Sequence, residues 1–317
     1  MISGYVQTVQ GPVPTAELGL ILPHEHLFTD LRGPHDDDYA IADPEAVGRV
    51  LRSYLDEAHE AGVTALVECS TVGVGRNLAV LRYLAEITPI HIIAPTGVYR
   101  HAYIPFSLLE LSVDELARRW VQEIIEGIDG TSLRAGFIKL AVSDEGVTPL
   151  EERNLRAAAK ASWESGAVVA SHTPNGKLFQ QQMTILEEEG HDPGRFIWVH
   201  ANLEPDLTLH LEAARRGVYV EFDAVGAEWQ SQETLADYTV ALLDADCGEQ
   251  ILLSHDAGWY DPAQPDGIPT GEGIRGYVEL IETFIPMLRR RGISDELIHQ
   301  MTVSNPARAF ALSGSAA

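Results

Sequence analysis

Cysteine is nearly missing from this chain: Cys69 and Cys247 are the only two among 317 residues, far apart and in no C-x-x-C arrangement. That excludes a disulfide framework and makes a reducing, cytoplasmic setting the expectation. Basic residues are scarce as well. Lys and Arg total 22 against 47 Asp and Glu, a formal net charge of −25. A field of that sign repels phosphate backbones and anionic lipid surfaces, so the expected partner is a small-molecule substrate, not nucleic acid and not a membrane. No apolar run approaches the ~18 residues that a transmembrane helix needs. The opening Met1-Ile2-Ser3-Gly4 has neither a basic stretch nor a following apolar core to direct export. A phosphate-cradling loop is also lacking, since Gly73-Val74-Gly75 has no third glycine at the spacing of a dinucleotide site.

What is present is a repeat of short apolar runs bounded by turn residues, at 20–23, 65–68, 91–96, 136–140, 167–171, 196–200, 218–222 and 251–254. Between most of them lie stretches of helical periodicity, such as 44–61 behind an Asp43 cap, 113–128, 149–165 and 184–189. Gly62, Gly166 and Gly217 stand where helices must stop before the next strand. Eight strands alternating with helices imply a parallel sheet, and eight is the number that closes a (β/α)8 TIM barrel. An open doubly wound sheet is the rival, but it carries a glycine turn after its first strand, where this chain has His24-Glu25-His26. The fold class is therefore α/β, one barrel domain spanning 1–317. Residues 1–17 read as a short β-hairpin arm ahead of the barrel. Residues 261–273, rich in Pro, Gly and Asp, read as a long substrate loop after the eighth strand.

Side chains two apart on a strand point the same way. If the first strand runs through His24 and His26, both imidazoles project to one side and could grip a single divalent cation. Catalytic groups of such barrels sit at the C-terminal ends of the strands. Applied to the eight runs, that rule picks out Lys139 after the fourth, His172 after the fifth, His200 after the sixth and His255-Asp256 after the eighth. Glu25 points away from its two neighbours and reads as structural. Lys139 follows Phe137-Ile138 in a strand that reads as buried, where an unpaired ammonium is costly. Two solutions stay open: an ion pair with a carboxylate, or a carbamate made with carbon dioxide, which turns the amine into an oxygen ligand able to bridge two metals.

As a set, His24-Glu25-His26-Leu27, Gly136-Phe137-Ile138-Lys139, His172-Thr173, His200 and Leu253-Ser254-His255-Asp256 resemble the phosphotriesterase family of the amidohydrolase superfamily, in its lactonase-type branch. Gly75-Arg76-Asn77 and Asn305-Pro306-Ala307-Arg308 are similar too, and the resemblance covers nearly the whole chain. It implies two divalent metal ions, zinc first, with iron, cobalt or manganese as alternatives. His24, His26 and Asp256 would hold the more buried ion and His172 and His200 the more exposed one, with carboxylated Lys139 and a hydroxide bridging them. Paired metals about 3.5–4 Å apart lower the pKa of water and polarise the scissile bond. Asp256 would also be catalytic, taking the proton of the attacking hydroxide. The resemblance further implies a homodimer and an ester substrate, above all a lactone, with weak phosphotriesterase activity alongside.

Tyr99, leaving the third strand in Thr96-Gly97-Val98-Tyr99, stands where lactone-hydrolysing relatives carry a tyrosine that assists the carbonyl or the hydroxide. Trp259 and Trp229 would wall an apolar pocket. Arg275 and Tyr277 fall in the region from which some relatives recruit ligands for phosphorylated sugar lactones, and Arg275 could be bidentate to phosphate or carboxylate. Two positions depart from the family. Ala224 stands where lactonases place an arginine and phosphotriesterases proper a histidine, and Leu203 where those phosphotriesterases have an aspartate. Their proton relay is therefore absent, which weighs against efficient organophosphate turnover and against the usual acyl-homoserine lactone assignment. Hydrolysis of phosphorylated sugar lactones or of N-acyl amides stays an alternative. So does a non-catalytic binding protein on the same scaffold, against which the complete set of six ligands argues.

Overall fold

The computed structural model describes residues 4–271 and 273–312, so position 272 of the substrate loop lies outside the described residues. Two strands precede the barrel, β1 (Tyr5–Thr8) and β2 (Gly11–Pro14), paired as an antiparallel hairpin. The barrel follows as β3 (Leu20–Phe28), β4 (Val63–Glu68), β5 (His91–Ile93), β6 (Pro95–Val98), β7 (Phe137–Ala141), β8 (Val169–His172), β9 (Phe196–Val199), β10 (Tyr219–Phe222) and β11 (Ile251–Leu253). Neighbours from β3 to β5 and from β6 to β11 pair parallel and in chain order. β5 and β6 are one stave interrupted at Ala94, so the eight apolar runs become eight staves of a TIM barrel. The ring is joined at the exit of β11, where Asp256 N donates to His24 O at 3.1 Å and His26 N donates to Ala257 O at 3.0 Å.

The first stave extends well past the expected 20–23 because a short added strand, β12 (Gly258–Tyr260), runs parallel beside its upper half, Gly258 facing His26. His24-Glu25-His26 is thus strand after all. A final strand, β13 (Ala311–Leu312), pairs with β1 and ties the end of the chain to the hairpin.

The helices begin where local chemistry dictates. Asp43 caps Pro44–Glu60 by accepting from Glu45 N, and reciprocal capping boxes start Val113–Ile125 (Ser112 with Glu115) and Pro149–Ser165 (Thr148 with Glu151). Gly166 stops the last of these in a left-handed turn at φ 76°. The helix expected at 184–189 starts earlier and spans Gly176–Glu188, because Asn175 caps it through Leu178 N; Asn-Gly imitates a turn in the sequence and opens a helix in the fold. No helix among the described residues is long and apolar enough to cross a membrane.

Alternation along the staves divides the core in two. Leu22, Leu66, Ile92, Ile138, Trp198, Val220 and Leu253 pack outward against the helices. Ile21, Ala65, Ile93, Phe137, Ala170, Ile197 and Leu252 fill the barrel interior, which Val6 and Phe310 close from below, Phe310 standing edge-on to Phe137 at 5.3 Å.

Candidate metal centre

Continuing upward by twos from the inward apolar residues leads from Val67 to Cys69, from Phe137 to Lys139, from Ala170 to His172 and from Tyr219 to Glu221 and Asp223. On β3 the register shifts between Leu22 and Glu25, which moves the inward face from Ile21 to His24 and His26. His200 has the wrong parity and is brought in by its backbone, left-handed at φ 62°. Asp256 and Trp259 take the same region, at φ 49° and 68°. Such conformations cost non-glycine residues roughly 1–2 kcal/mol each and collect where function needs them. Gly97 supports Lys139 from the next stave: at φ 100° it approaches so closely that a Cβ would strike the Lys139 carbonyl.

One cavity of about 160 Å³ at the barrel mouth is lined by His24, His26, Lys139, His172, His200 and Asp256, together with Thr29, Leu31, Cys69, Val74, Tyr99 and Trp259. Asp256 Oδ1 lies 3.1 Å from His26 Nε2 and 3.4 Å from His24 Nε2. The His172 and His200 rings meet edge to face at 4.5 Å between centroids, and His200 is 5.1 Å from His24. Lys139 is only 2% exposed, and among the described residues it makes no ion pair, so the carboxylate partner that would have explained it structurally is not there.

Three imidazoles are held from behind by oxygen. His24 Nδ1 faces Glu221 Oε2 at 3.3 Å, His26 Nδ1 faces Ser70 Oγ at 2.7 Å, and His200 Nδ1 faces Asp223 Oδ1 at 2.9 Å. Asp223 Oδ2 also accepts from His200 N at 2.8 Å and lies 3.4 Å from His24 Nδ1, so one carboxylate braces two ligand-type histidines. Glu221, Asp223 and Ser70 escaped the sequence reading. Strand parity counted from Tyr219 would have found the first two; nothing local in the sequence singles out Ser70.

The electrostatics are those of a dense, dry charge cluster. Burial opposes a charge on His24, yet Glu221, Asp223 and Asp256 hold its imidazole well above the usual range. Burial, with His200 and Lys139 beside it, drives His172 well below that range and leaves it a neutral donor. Burial would raise Asp256 too, but His24, His26 and His200 keep it well below the ordinary carboxylate value. Asp223 is likewise held low against burial by His200 and His24, whereas burial raises Glu221, whose Oε1 has no hydrogen-bond partner among the described residues. For Tyr99, burial pushes the phenol up to about 12.

Two of the residues expected at the substrate make backbone contacts. Tyr277 is wholly buried and its hydroxyl donates to His26 O at 2.8 Å, which makes it a brace for the metal-site strand and not a phosphate contact. Arg275 Nη2 donates to the carbonyls of His255 and Asp256 at 3.0 and 2.7 Å. Trp259 does line the reaction cavity, while Trp229 is 60% exposed and borders a neighbouring one with Arg275. Ala224 is buried and Leu203 is partly exposed beside His200, so neither offers the polar relay found in phosphotriesterases proper. Glu25, expected to be structural, is fully buried and accepts from Ser254 Oγ, His255 N, His255 Nδ1 and Ala257 N.

The donor set suits divalent cations. Ligand atoms about 2.1 Å from a tetrahedral ion stand about 3.4 Å apart, close to the spacing of Asp256 Oδ1 from His24 Nε2 and His26 Nε2. His24, His200 and Asp256 each bring a ligand atom within 4.8 Å of the others. Imidazoles with one nitrogen held by oxygen and the other turned to a common point are the usual second-layer arrangement of metal-binding histidines.

A TIM barrel with imidazoles, a buried lysine and a carboxylate gathered at its C-terminal mouth defines a metal-dependent hydrolase class. The chain matches the sequence model of the Phosphotriesterase family over residues 4–310, and it belongs to that family. It is 30% identical over 322 residues to a phosphotriesterase homology protein of Mycobacterium tuberculosis, covering 98% of each chain. It is 29% identical over 313 residues to an aryldialkylphosphatase of Saccharolobus solfataricus, covering 94% of this chain and 96% of that one. A solved mutant of a PTE-like lactonase from Deinococcus radiodurans superposes with a TM-score of 0.87 at 32% identity, over 96% of this chain and 100% of that chain. Membership makes this protein a hydrolase and implies a binuclear divalent metal centre.

Proposed function

We propose that this protein is a lactonase acting on small, uncharged lactones. The observation that carries the reading is the composition of the reaction cavity: apart from Lys139 it has no Lys or Arg, and its walls are Leu31, Val74, Tyr99 and Trp259. Among the described residues lining it, no guanidinium stands ready to pair with a charged substituent away from the reacting carbonyl, and the Tyr277 hydroxyl and Arg275 Nη2 donate to backbone carbonyls.

His24, His26 and Asp256 would hold one ion and His172 and His200 the other, and Lys139, as a carbamate, would add an oxygen ligand. When bound, the two ions supply an activated water and polarise the carbonyl. The ionised Asp256 accepts a proton from the attacking water and returns it to the ring oxygen as the acyl C–O bond breaks, giving the hydroxy acid. Tyr99 keeps its proton at neutral pH and can donate to the carbonyl oxygen.

The test is a rate comparison on protein reconstituted with bicarbonate and divalent cation. Uncharged lactones are expected to exceed phosphorylated sugar lactones, N-acyl amino acids and phosphotriesters in kcat/KM by at least about tenfold, the discrimination available to one well-matched polar contact. Faster turnover of any of the other three, or fewer than one metal per chain after reconstitution, overturns the reading.

A further inference from the structure

We propose that Arg275 is a positioning residue for Asp256, fixing that carboxylate from the far side of the substrate loop; the inference rests on the role given to Asp256 above. The argument is an accounting of backbone groups in the segment 254–257, each of which must find a partner once buried. Ser254 N donates to Phe222 O and Ser254 O accepts from Val225 N, both at 3.1 Å. His255 N and Ala257 N donate to the two oxygens of Glu25, at 3.1 and 3.0 Å. Asp256 N donates to His24 O and Ala257 O accepts from His26 N, at 3.1 and 3.0 Å. Two carbonyls are left, those of His255 and Asp256, and Arg275 Nη2 donates to both, at 3.0 and 2.7 Å.

All the other partners belong to barrel staves or their exits. Arg275 alone comes from the chain beyond the substrate loop, and it bonds the one residue of the segment whose backbone is left-handed, Asp256 at φ 49°. Its neighbours reinforce the clasp. Tyr277 donates to His26 O at 2.8 Å, and Leu280 N donates to His255 Nε2 at 2.9 Å, which leaves His255 Nδ1 to donate to Glu25 at 2.6 Å. The segment 275–280 therefore grips both strand exits that supply Asp256 and His26. Arg275 also walls a cavity of about 280 Å³ with Asp256, Gly258, Trp259, Pro269 and Thr270, so the loop and the carboxylate meet across its guanidinium. A guanidinium suits this place because one nitrogen can serve two carbonyls while the group stays charged at any working pH.

The experiment compares Arg275→Met, which keeps the length and removes every donor, with Arg275→Lys, which keeps the charge and a donor. Amide hydrogen exchange across 254–257 is followed in both full-length proteins, alongside kcat and KM on the best lactone. Arg275→Met is expected to speed exchange in that segment at least tenfold while exchange in β7 and β8 stays unchanged, and to lower kcat at least tenfold with KM within twofold. Arg275→Lys is expected to recover a third or more of both effects. A rise in KM at constant kcat would make Arg275 a substrate contact and overturn the proposal, as would unaltered exchange at 254–257 in both variants. Exchange is read without turnover, so inactivity toward every lactone would defeat the hydrolytic reading while the clasp is still decided by exchange.

Discussion

The floor and the mouth of this barrel are built by the same staves and have opposite chemistry. At the floor, the apolar side chains of Ile21, Ala65, Ile93, Phe137, Ala170, Ile197 and Leu252 face one another over Val6 and Phe310. Two residues further up the same faces stand Lys139 and His172, with Glu221 and Asp223 above Tyr219. The floor satisfies every local rule at once: apolar, alternating and closely packed. The mouth breaks several, with left-handed His200, Asp256 and Trp259 and, among the described residues, a buried lysine that makes no ion pair and a buried carboxylate oxygen without a donor. Local conflict of this kind marks function, and the floor supplies the stability that lets it persist. Two buried glutamates show the contrast in miniature. Glu25 has hydrogen bonds to both oxygens and locks the segment 254–257, whereas Glu221 has one oxygen on His24 and the other unpartnered.

The sharpest division of labour is expected for Lys139→Ala. If Lys139 holds both ions as proposed, its loss should cut bound metal from two ions to at most one per chain and lower kcat/KM on the order of 10⁴-fold, since both ions would serve activation and polarisation. Folding should survive, because among the described residues the buried Lys139 amine makes no ion pair that its loss would break. Metal analysis of the purified variant, with and without a short carboxylic acid to stand in for the carbamate, reads the outcome. Unchanged metal content would erase the distinction between mouth and floor at this residue.

The reverse pattern is expected at the floor. Phe310→Ala deletes a ring that stands edge-on to Phe137 and should cost about 3–5 kcal/mol of stability. Metal bound per folded chain and kcat should stay as they were. Denaturant unfolding followed beside a lactone assay checks both halves, and a fall in kcat at low denaturant would show that the floor reaches into the chemistry.

The sequence made the staves legible because alternation and turn residues are local, and the strand-exit rule then located the six ligand-type residues among the twelve that line the cavity. What it hid has physical reasons. Four of the six depend on backbone irregularity: the register shift before His24 and His26, and the left-handed turns at His200 and Asp256. The strand-exit rule includes these positions without showing how their side chains turn inward, since plain parity would send His200 outward. The roles of Arg275 and Tyr277 could not be read, since each is defined by a carbonyl brought near by strand β12 and the barrel seam, contacts some 20 to 250 positions away in the chain. Asp223 was visible as a letter but not as a brace, because its partners His200 and His24 come from other staves.

Tyr99 lies at the boundary between the two regimes and carries the smallest expected effect. Its ring packs against Tyr103 and His172 at 5.5 and 5.7 Å, as a floor residue would, and its hydroxyl borders the cavity, as a mouth residue would. The raised phenol value keeps the proton in place well past neutral pH, so the group acts as a donor and never as a base there. Tyr99→Phe keeps the packing and deletes only that donor. A single neutral hydrogen bond is worth about 1 kcal/mol, so kcat on the best lactone should fall roughly five- to tenfold. Metal content and thermal stability should not move. An unchanged kcat would place Tyr99 with the packing residues, and a loss of metal would place it with the supports of His172; only the intermediate result makes it a participant in the reaction.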